Sequence, residues 1–208
     1  MIAIIDYGMG NLHSVSNALT SLGLSYCISN DPAVLEEADG LILPGVGAFP
    51  DCMKNLQEAG LVEVIQEQVK NHKPLLGICL GMQVLFEKSY EVEETKGLGL
   101  LQGEVKLMKD PNVKIPHIGW NRLEVTQEDL LLTKDEQPFV YYVHSFYAQG
   151  YKEEDLIAYS NYGNLKIPGY VRHGYVFGMQ FHPEKSGKAG LRMLQRFGML
   201  CEGKEQEL

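Results

Sequence analysis

The stretch Leu75-Leu76-Gly77-Ile78-Cys79-Leu80-Gly81-Met82-Gln83 decides how this chain reads. Its apolar start predicts a buried strand, Gly77 to Gly81 a tight corner, and Met82–Phe86 the opening of a helix. The pattern Gly77-x-Cys79-x-Gly81 is the cysteine form of the nucleophile elbow. Small residues on both sides of Cys79 let strand and helix approach closely, and the corner pushes the sulfur out over the first helical turn. Free backbone N–H groups at a helix start favour negative charge there. The N–H of Leu80 becomes a candidate oxyanion donor. Alone, the pattern equally fits a structural cysteine in a Gly-containing turn, so the surrounding chain has to decide.

Working outward, Ile2–Ile5 is an apolar run stopped by a turn holding Gly8 and Gly10, and a helix is predicted over Leu12–Leu22. Tyr26–Ser29 and Gly40–Leu43 read as strands, the second stopped by Pro44-Gly45-Val46-Gly47, and helical spacing recurs twice over Phe49–Asn71. Strands alternating with helices, with apolar runs buried on both faces, predict a parallel sheet whose functional loops lie at the carboxyl ends of its strands. Both glycine turns and the elbow fall there. Beyond Gly97, strands are predicted over Glu104–Met108, Leu123–Thr126, Phe139–Val143, Ile157–Asn161, Tyr170–Val171 and Tyr175–Phe181. They suggest an antiparallel, meander-like half, closed by a helix over Lys188–Leu200 and a charged tail that frays after Cys201. The expected fold is α/β: a single domain over residues 1–208, with a mostly parallel central sheet flanked by helices and an antiparallel C-terminal extension.

The 208 residues suffice for one well-buried domain, and 45% hydrophobic with 22% charged residues is ordinary for a soluble protein. A net charge of −9 without a basic block argues against nucleic-acid binding. The apolar N-terminus is one strand long and lacks a basic flank, so it does not read as a signal peptide. No run approaches the roughly 20 apolar residues a membrane span needs. Cys27, Cys52, Cys79 and Cys201 are scattered without a CxxC pair, which fits reduced thiols in a cytoplasmic protein. Neither metal nor cofactor is expected. His117, His144 and His173 are too scattered to argue a metal site, and Gly8-x-Gly10 lacks the third glycine of a dinucleotide fingerprint.

The second informative stretch is Gly178-Met179-Gln180-Phe181-His182-Pro183-Glu184. In extended chain, residues two apart point to one side. His182 and Glu184 therefore project together, as a base and its orienting carboxylate would, and Pro183 suits a strand end. This pair too fits a bland reading, a turn histidine beside a solvated glutamate. Joined with the Cys79 elbow it makes the constellation of a thiol triad, whose chemistry is acyl transfer with release of an amine or ammonia. That chemistry does not name a substrate.

The elbow and the His182-Pro183-Glu184 end resemble the triad (class I) glutamine amidotransferases. Four further stretches narrow the similarity to the glutaminase subunits of imidazole glycerol phosphate synthase: Ile5–Asn11, Leu43–Phe49, Pro116–Asn121 and Phe181–Ser186. The resemblance spans nearly the whole chain and shows no departure at the triad. It implies hydrolysis of L-glutamine to glutamate and ammonia through a Cys79 thioester. The ammonia would pass to a (β/α)8-barrel cyclase subunit in a heterodimer. There it would react with a phosphoribulosyl-formimino aminoimidazole carboxamide ribonucleotide, yielding imidazole glycerol phosphate and aminoimidazole carboxamide ribonucleotide in histidine biosynthesis. It also implies a glutaminase that stays nearly silent until the cyclase binds its ligand. Residue by residue it implies Cys79, His182 and Glu184 as the triad, and the backbone of Val46 and Leu80 as the oxyanion hole. Gly47, Gln83, His144 and Ser145 match positions around glutamine, and Asn11, Trp120, Tyr141 and Lys185 positions facing the cyclase.

Other residues read more plainly. Glycines on both sides of Val46 would let its N–H rotate toward an oxyanion, a switch that Gly45→Pro is expected to lock. Trp120 fits a partly buried core position as well as an interface anchor. His13 and His72 read as surface, Met82, Leu85 and Phe86 as a buried helix face, and Glu91–Lys96 as a solvated loop. Two other functions stay open: an amidotransferase subunit for a different synthase, such as anthranilate or pyridoxal phosphate synthase, and a non-catalytic or redox-sensing thiol protein. Asp6–Asn11 and Pro116–Asn121 argue against the first, and His182 with Glu184 against the second.

Overall fold

The computed structural model describes residues 1–204 and 206. The apolar run Ile2–Ile5 forms β1, followed by α1 (Leu12–Ser21), whose cap Asn11 accepts the Ser14 N–H at 3.2 Å. After β2 (Tyr26–Ser29) comes α2 (Pro32–Glu37), capped by Asp31 with Pro32 in its first turn. Then follow β3 (Gly40–Gly45), α3 (Phe49–Glu58), α4 (Leu61–Lys70), β4 (Leu75–Cys79) and a single turn, α5 (Leu80–Gln83). The second half is strand-rich: β5 (Phe86–Ser89), β6 (Thr95–Lys96), β7 (Leu101–Leu107), β8 (His117–Arg122), β9 (Glu124–Val125), β10 (Phe139–His144) and β11 (Phe146–Gln149). It ends with β12 (Leu156–Tyr162), β13 (Leu165–His173), β14 (Val176–Met179) and α6 (Gly187–Cys201). Of the charged tail expected to fray, residues 205, 207 and 208 lie outside the described residues.

The main sheet runs β2-β1-β3-β4-β14-β13-β12-β9, parallel from β2 to β14 and antiparallel beyond. This is the expected α/β architecture with its antiparallel extension. Strand periodicity sorts the core. Ile2 and Ile4 join Val15, Leu19, Leu194 and Phe197 on one face, whereas Ala3 and Ile5 join Leu56, Leu61 and Ile65 on the other. A four-stranded sheet (β11-β7-β5-β6) and the β8–β10 ribbon complete the molecule.

Two expectations change. The segment Met82–Phe86 does not continue as a helix, because the carbonyls of Val84 and Leu85 accept the N–H groups of Leu98 and Leu100, each at 2.8 Å. Those long-range bonds replace helical ones, and Phe86 opens β5 although it stays buried. Only a single helical turn therefore follows Cys79 and offers its free N–H groups to the sulfur. Secondly, β14 does more than extend the meander: besides its antiparallel pairing with β13 it inserts parallel to β4.

Candidate active site

That insertion builds the site. Gly178 pairs with Gly77 and Met179 with Ile78, so the chain leaving β14 emerges beside Cys79. Cys79 holds φ +55° and ψ −111°, a conformation rare for a residue with a side chain and the signature of a strained corner. Only absent side chains allow the corner to close. A Cβ on Gly81 would lie 1.8 Å from the Leu43 carbonyl oxygen, and one on Gly77 2.5 Å from the Gly81 oxygen. Gly45 is part of the same seam, its Cβ position 2.6 Å from Gly81 N and 2.9 Å from Leu80 Cβ. Gly45→Pro would therefore breach the elbow and cannot isolate a peptide switch. Gly47, at φ +102° and crowded only by the flexible end of Met9, is the glycine with conformational freedom.

His182 is buried and held from both ends. Its Nδ1 bonds Glu184 Oε1 at 2.8 Å, and its backbone N–H donates to the Tyr141 carbonyl at 2.9 Å. The Glu184 side chain is 1% exposed. Burial opposes charge on the imidazole, but the Cys79 sulfur and Glu184 overcome it and push His182 up to about 9. Nε2 is nonetheless buried without a well-formed hydrogen bond among the described residues. The thiol is directed instead at the Val143 carbonyl, 3.8 Å away. Sulfur, imidazole and carboxylate are thus brought together, with the base poised rather than engaged.

A cavity of about 300 Å³ opens over the sulfur. Val46, Gly47, Leu80, Gln83, His144 and Ser145 all line it with Cys79 and His182, while Glu184 sits behind the imidazole. Gln83 spends both amide hydrogens, on the Phe146 carbonyl and on Gln180 Oε1, each at 3.0 Å, which leaves only its oxygen for a ligand. His144 Nδ1 faces the Phe146 carbonyl at 2.8 Å, which can only accept, so Nε2 accepts from His117 Nδ1 at 3.0 Å. The two histidines, far apart in sequence, are neighbours. Burial pushes His117 down to about 4 and His144 to about 3, so both are neutral at pH 7.

Sequence reasoning missed three lining residues: Glu91, Val143 and Phe146. Glu91 is not solvated; its carboxylate accepts the Phe49 N–H at 2.8 Å, and burial raises its pKa. Nothing local in its charge run marks it, because the β5–β6 turn is what carries it to the cavity. Strand alternation could have found Val143, two residues from Tyr141 on the same face. Among the described residues no group of three His, Cys, Asp or Glu could hold a metal, and no helix is long and apolar enough to cross a membrane.

The residues expected to face a partner lie near one another. Trp120 is 56% exposed, which rules out a core role, and meets Tyr141 edge-on with ring centroids 6.0 Å apart. Exposed Lys185 follows His182 in a short 3-10 turn against which α1 packs, and Asn11 is half-buried as the α1 cap. Ile118, Val143 and Phe139 extend the exposed apolar face along the β8–β10 ribbon.

A strained cysteine corner, a His–carboxylate pair and an open cavity over the sulfur are together the parts of a thiol-dependent acyl-transfer site. The chain belongs to the class-I glutamine amidotransferases, whose family model matches residues 3–201. Within that family it is similar to imidazole glycerol phosphate synthase subunit HisH of Bacillus velezensis, 51% identical over 95% of both chains. It is likewise similar to the same subunit of Bacillus cytotoxicus, 50% identical over 100% of this chain and 99% of the other. In fold it resembles a solved glutamine amidotransferase (TM-score 0.76, 23% identity, 98% of this chain and 100% of that one). PurLQS of Thermotoga maritima is similar too (TM-score 0.71, 22% identity, 94% and 96% covered).

Proposed function

We propose that this chain is the glutaminase subunit of an imidazole glycerol phosphate synthase. It hydrolyses L-glutamine and passes ammonia to a cyclase subunit, which makes imidazole glycerol phosphate and aminoimidazole carboxamide ribonucleotide in histidine biosynthesis. The observation that carries this reading is the convergence of Cys79, His182 and Glu184 beneath one cavity, in a chain half identical along its length to HisH subunits. The chain acts as one domain in the cytoplasm, as the heterodimeric partner of the cyclase, with no cofactor of its own.

The chemistry follows from the geometry. Glutamine enters with its carboxamide over the sulfur, and Glu91, the carboxylate on the cavity wall, offers a counter-charge for its α-ammonium group. Cys79 and His182 share one proton, held on Nε2 because the sulfur and Glu184 sustain the imidazolium, and the thiolate attacks the carboxamide carbon. The N–H groups of Val46 and Leu80 receive the oxyanion. Collapse breaks the C–N bond, His182 returns its proton to nitrogen, and ammonia leaves a Cys79 thioester. His182 then takes a proton from water, hydroxide adds to the thioester, the C–S bond breaks and the sulfur is regained. Glu184 holds the imidazole tautomer throughout. The apolar face around Trp120 and Tyr141 receives the cyclase, next to the turn carrying His182.

The test measures glutamine turnover with and without the cyclase and its ligand. Turnover should rise on adding both and vanish in Cys79→Ala while the complex still forms. Turnover that survives Cys79→Ala would overturn the reading.

A further inference from the structure

We infer that Gln180 is a thiolate-stabilising residue: its side-chain amide donates to the Cys79 sulfur from beneath the elbow, and Gln83 fixes it in that orientation. This rests on the glutaminase reading only for its catalytic consequence; the effect on the thiol stands apart from it.

Gln180 is fully buried, and its Nε2 lies 3.8 Å from Cys79 Sγ. A buried amide in a core strand exit is costly unless each polar atom is used. Which end faces the sulfur follows from chemistry. The Phe146 carbonyl can only accept, so the Gln83 atom 3.0 Å from it must be Nε2. That same nitrogen lies 3.0 Å from Gln180, whose facing atom must therefore be the acceptor Oε1. Gln180 is left with its N–H groups toward the sulfur. The order Phe146 carbonyl, Gln83, Gln180, Cys79 is a directional chain of amide donors onto acceptors, ending on the nucleophile.

A donor aimed at sulfur favours thiolate over thiol. It acts when Cys79 loses its proton, and again when the thioester C–S bond breaks and the electron pair returns to sulfur. The other titratable groups around the sulfur are His182 and His144 in the cavity wall, Glu91 across it and Tyr7 behind the elbow. None of these changes when Gln180 is replaced. Gln180 directly follows β14 and His182 comes two residues later, so the chain leaving that strand delivers both to the nucleophile.

The experiment follows the rate of Cys79 alkylation by iodoacetamide against pH in the full chain, free and bound to the cyclase, with peptide mass spectrometry separating Cys79 from Cys27, Cys52 and Cys201. Gln180→Met keeps the volume and removes the donor; it should move the midpoint of the profile upward by about one pH unit. Gln180→Glu keeps the acceptor for Gln83 and sets a carboxylate against the sulfur; it should move the midpoint at least as far. In the complex, Gln180→Glu should lower kcat for glutamine about tenfold with KM little changed. Thermal melting identifies which variants are folded, and if Gln180→Met is not, Gln180→Glu carries the test. A folded variant with the parental alkylation midpoint overturns the inference. Absence of glutamine turnover in the parent, with the midpoint still shifted, would overturn the glutaminase reading and leave the role of Gln180 standing.

Discussion

Three histidines in the same part of the molecule take opposite charge preferences because their partners differ. His182 gains a carboxylate and a sulfur; its contribution to folding is fully present below the ordinary value of 6.5 and is lost as pH rises through about 9. Burial pushes His117 and His144 down, with no carboxylate to offset it, so their contribution is present above 6.5 and lost as pH falls toward about 4 and 3. Stability between pH 6.5 and 5 should fall by about 1.4 kcal/mol per pH unit for each of the two, and His117→Gln should flatten that slope. Urea melts at pH 7, 6 and 5 check this; a slope unchanged in the variant would show that His117 is not kept neutral by folding. For catalysis, Glu184→Gln removes the charge that orients and sustains the imidazolium. Its kcat in the complex should drop by about 10²- to 10⁴-fold with KM little affected, as steady-state glutamine kinetics would show.

At the scale of elements, the elbow is a packing problem solved by missing side chains. The Leu43 carbonyl, which a Cβ at Gly81 would strike at 1.8 Å, is β3 backbone and cannot move without disturbing the central sheet. Gly81→Ala should cost about 3 kcal/mol or more, read as a lowered Tm. A Tm equal to the parent would mean that the corner is more plastic than its contacts indicate. The same elbow shows how far local signals reach: the β4 strand and its glycine corner follow from apolar run and turn chemistry. The change from helix to β5 after one turn does not, because it depends on carbonyls of Val84 and Leu85 meeting a segment some fifteen residues on.

Across the whole molecule, the exposed β8–β10 ribbon is joined to the site by the bond from His182 N–H to the Tyr141 carbonyl. Tyr141 N–H is in turn held by Ser186, whose hydroxyl also donates to the His182 carbonyl at 2.6 Å. A partner seated on Trp120 and Tyr141 therefore rests on the strand that pins the base. Trp120→Ala should weaken cyclase binding by about 30-fold, an anchor-residue effect of about 2 kcal/mol. Because the indole is more than half exposed, Tm of the free chain should stay unchanged. Titration calorimetry and thermal melting separate the two; a lost Tm with intact binding would mean that the indole is structural.

The residues themselves determine the strand periodicity, the glycine corners, the cysteine at one of them and the His-x-Glu pair near the end, since each depends on chemistry within a few positions. What only the tertiary structure decides is which segments meet: β14 beside β4, Glu91 at the cavity, His117 against His144, and Gln83 bridging to Gln180. The reason is physical. Periodicity and turn preference are local energies, whereas these contacts join positions from 27 to about a hundred residues apart and arise only when the sheet closes its order around one core.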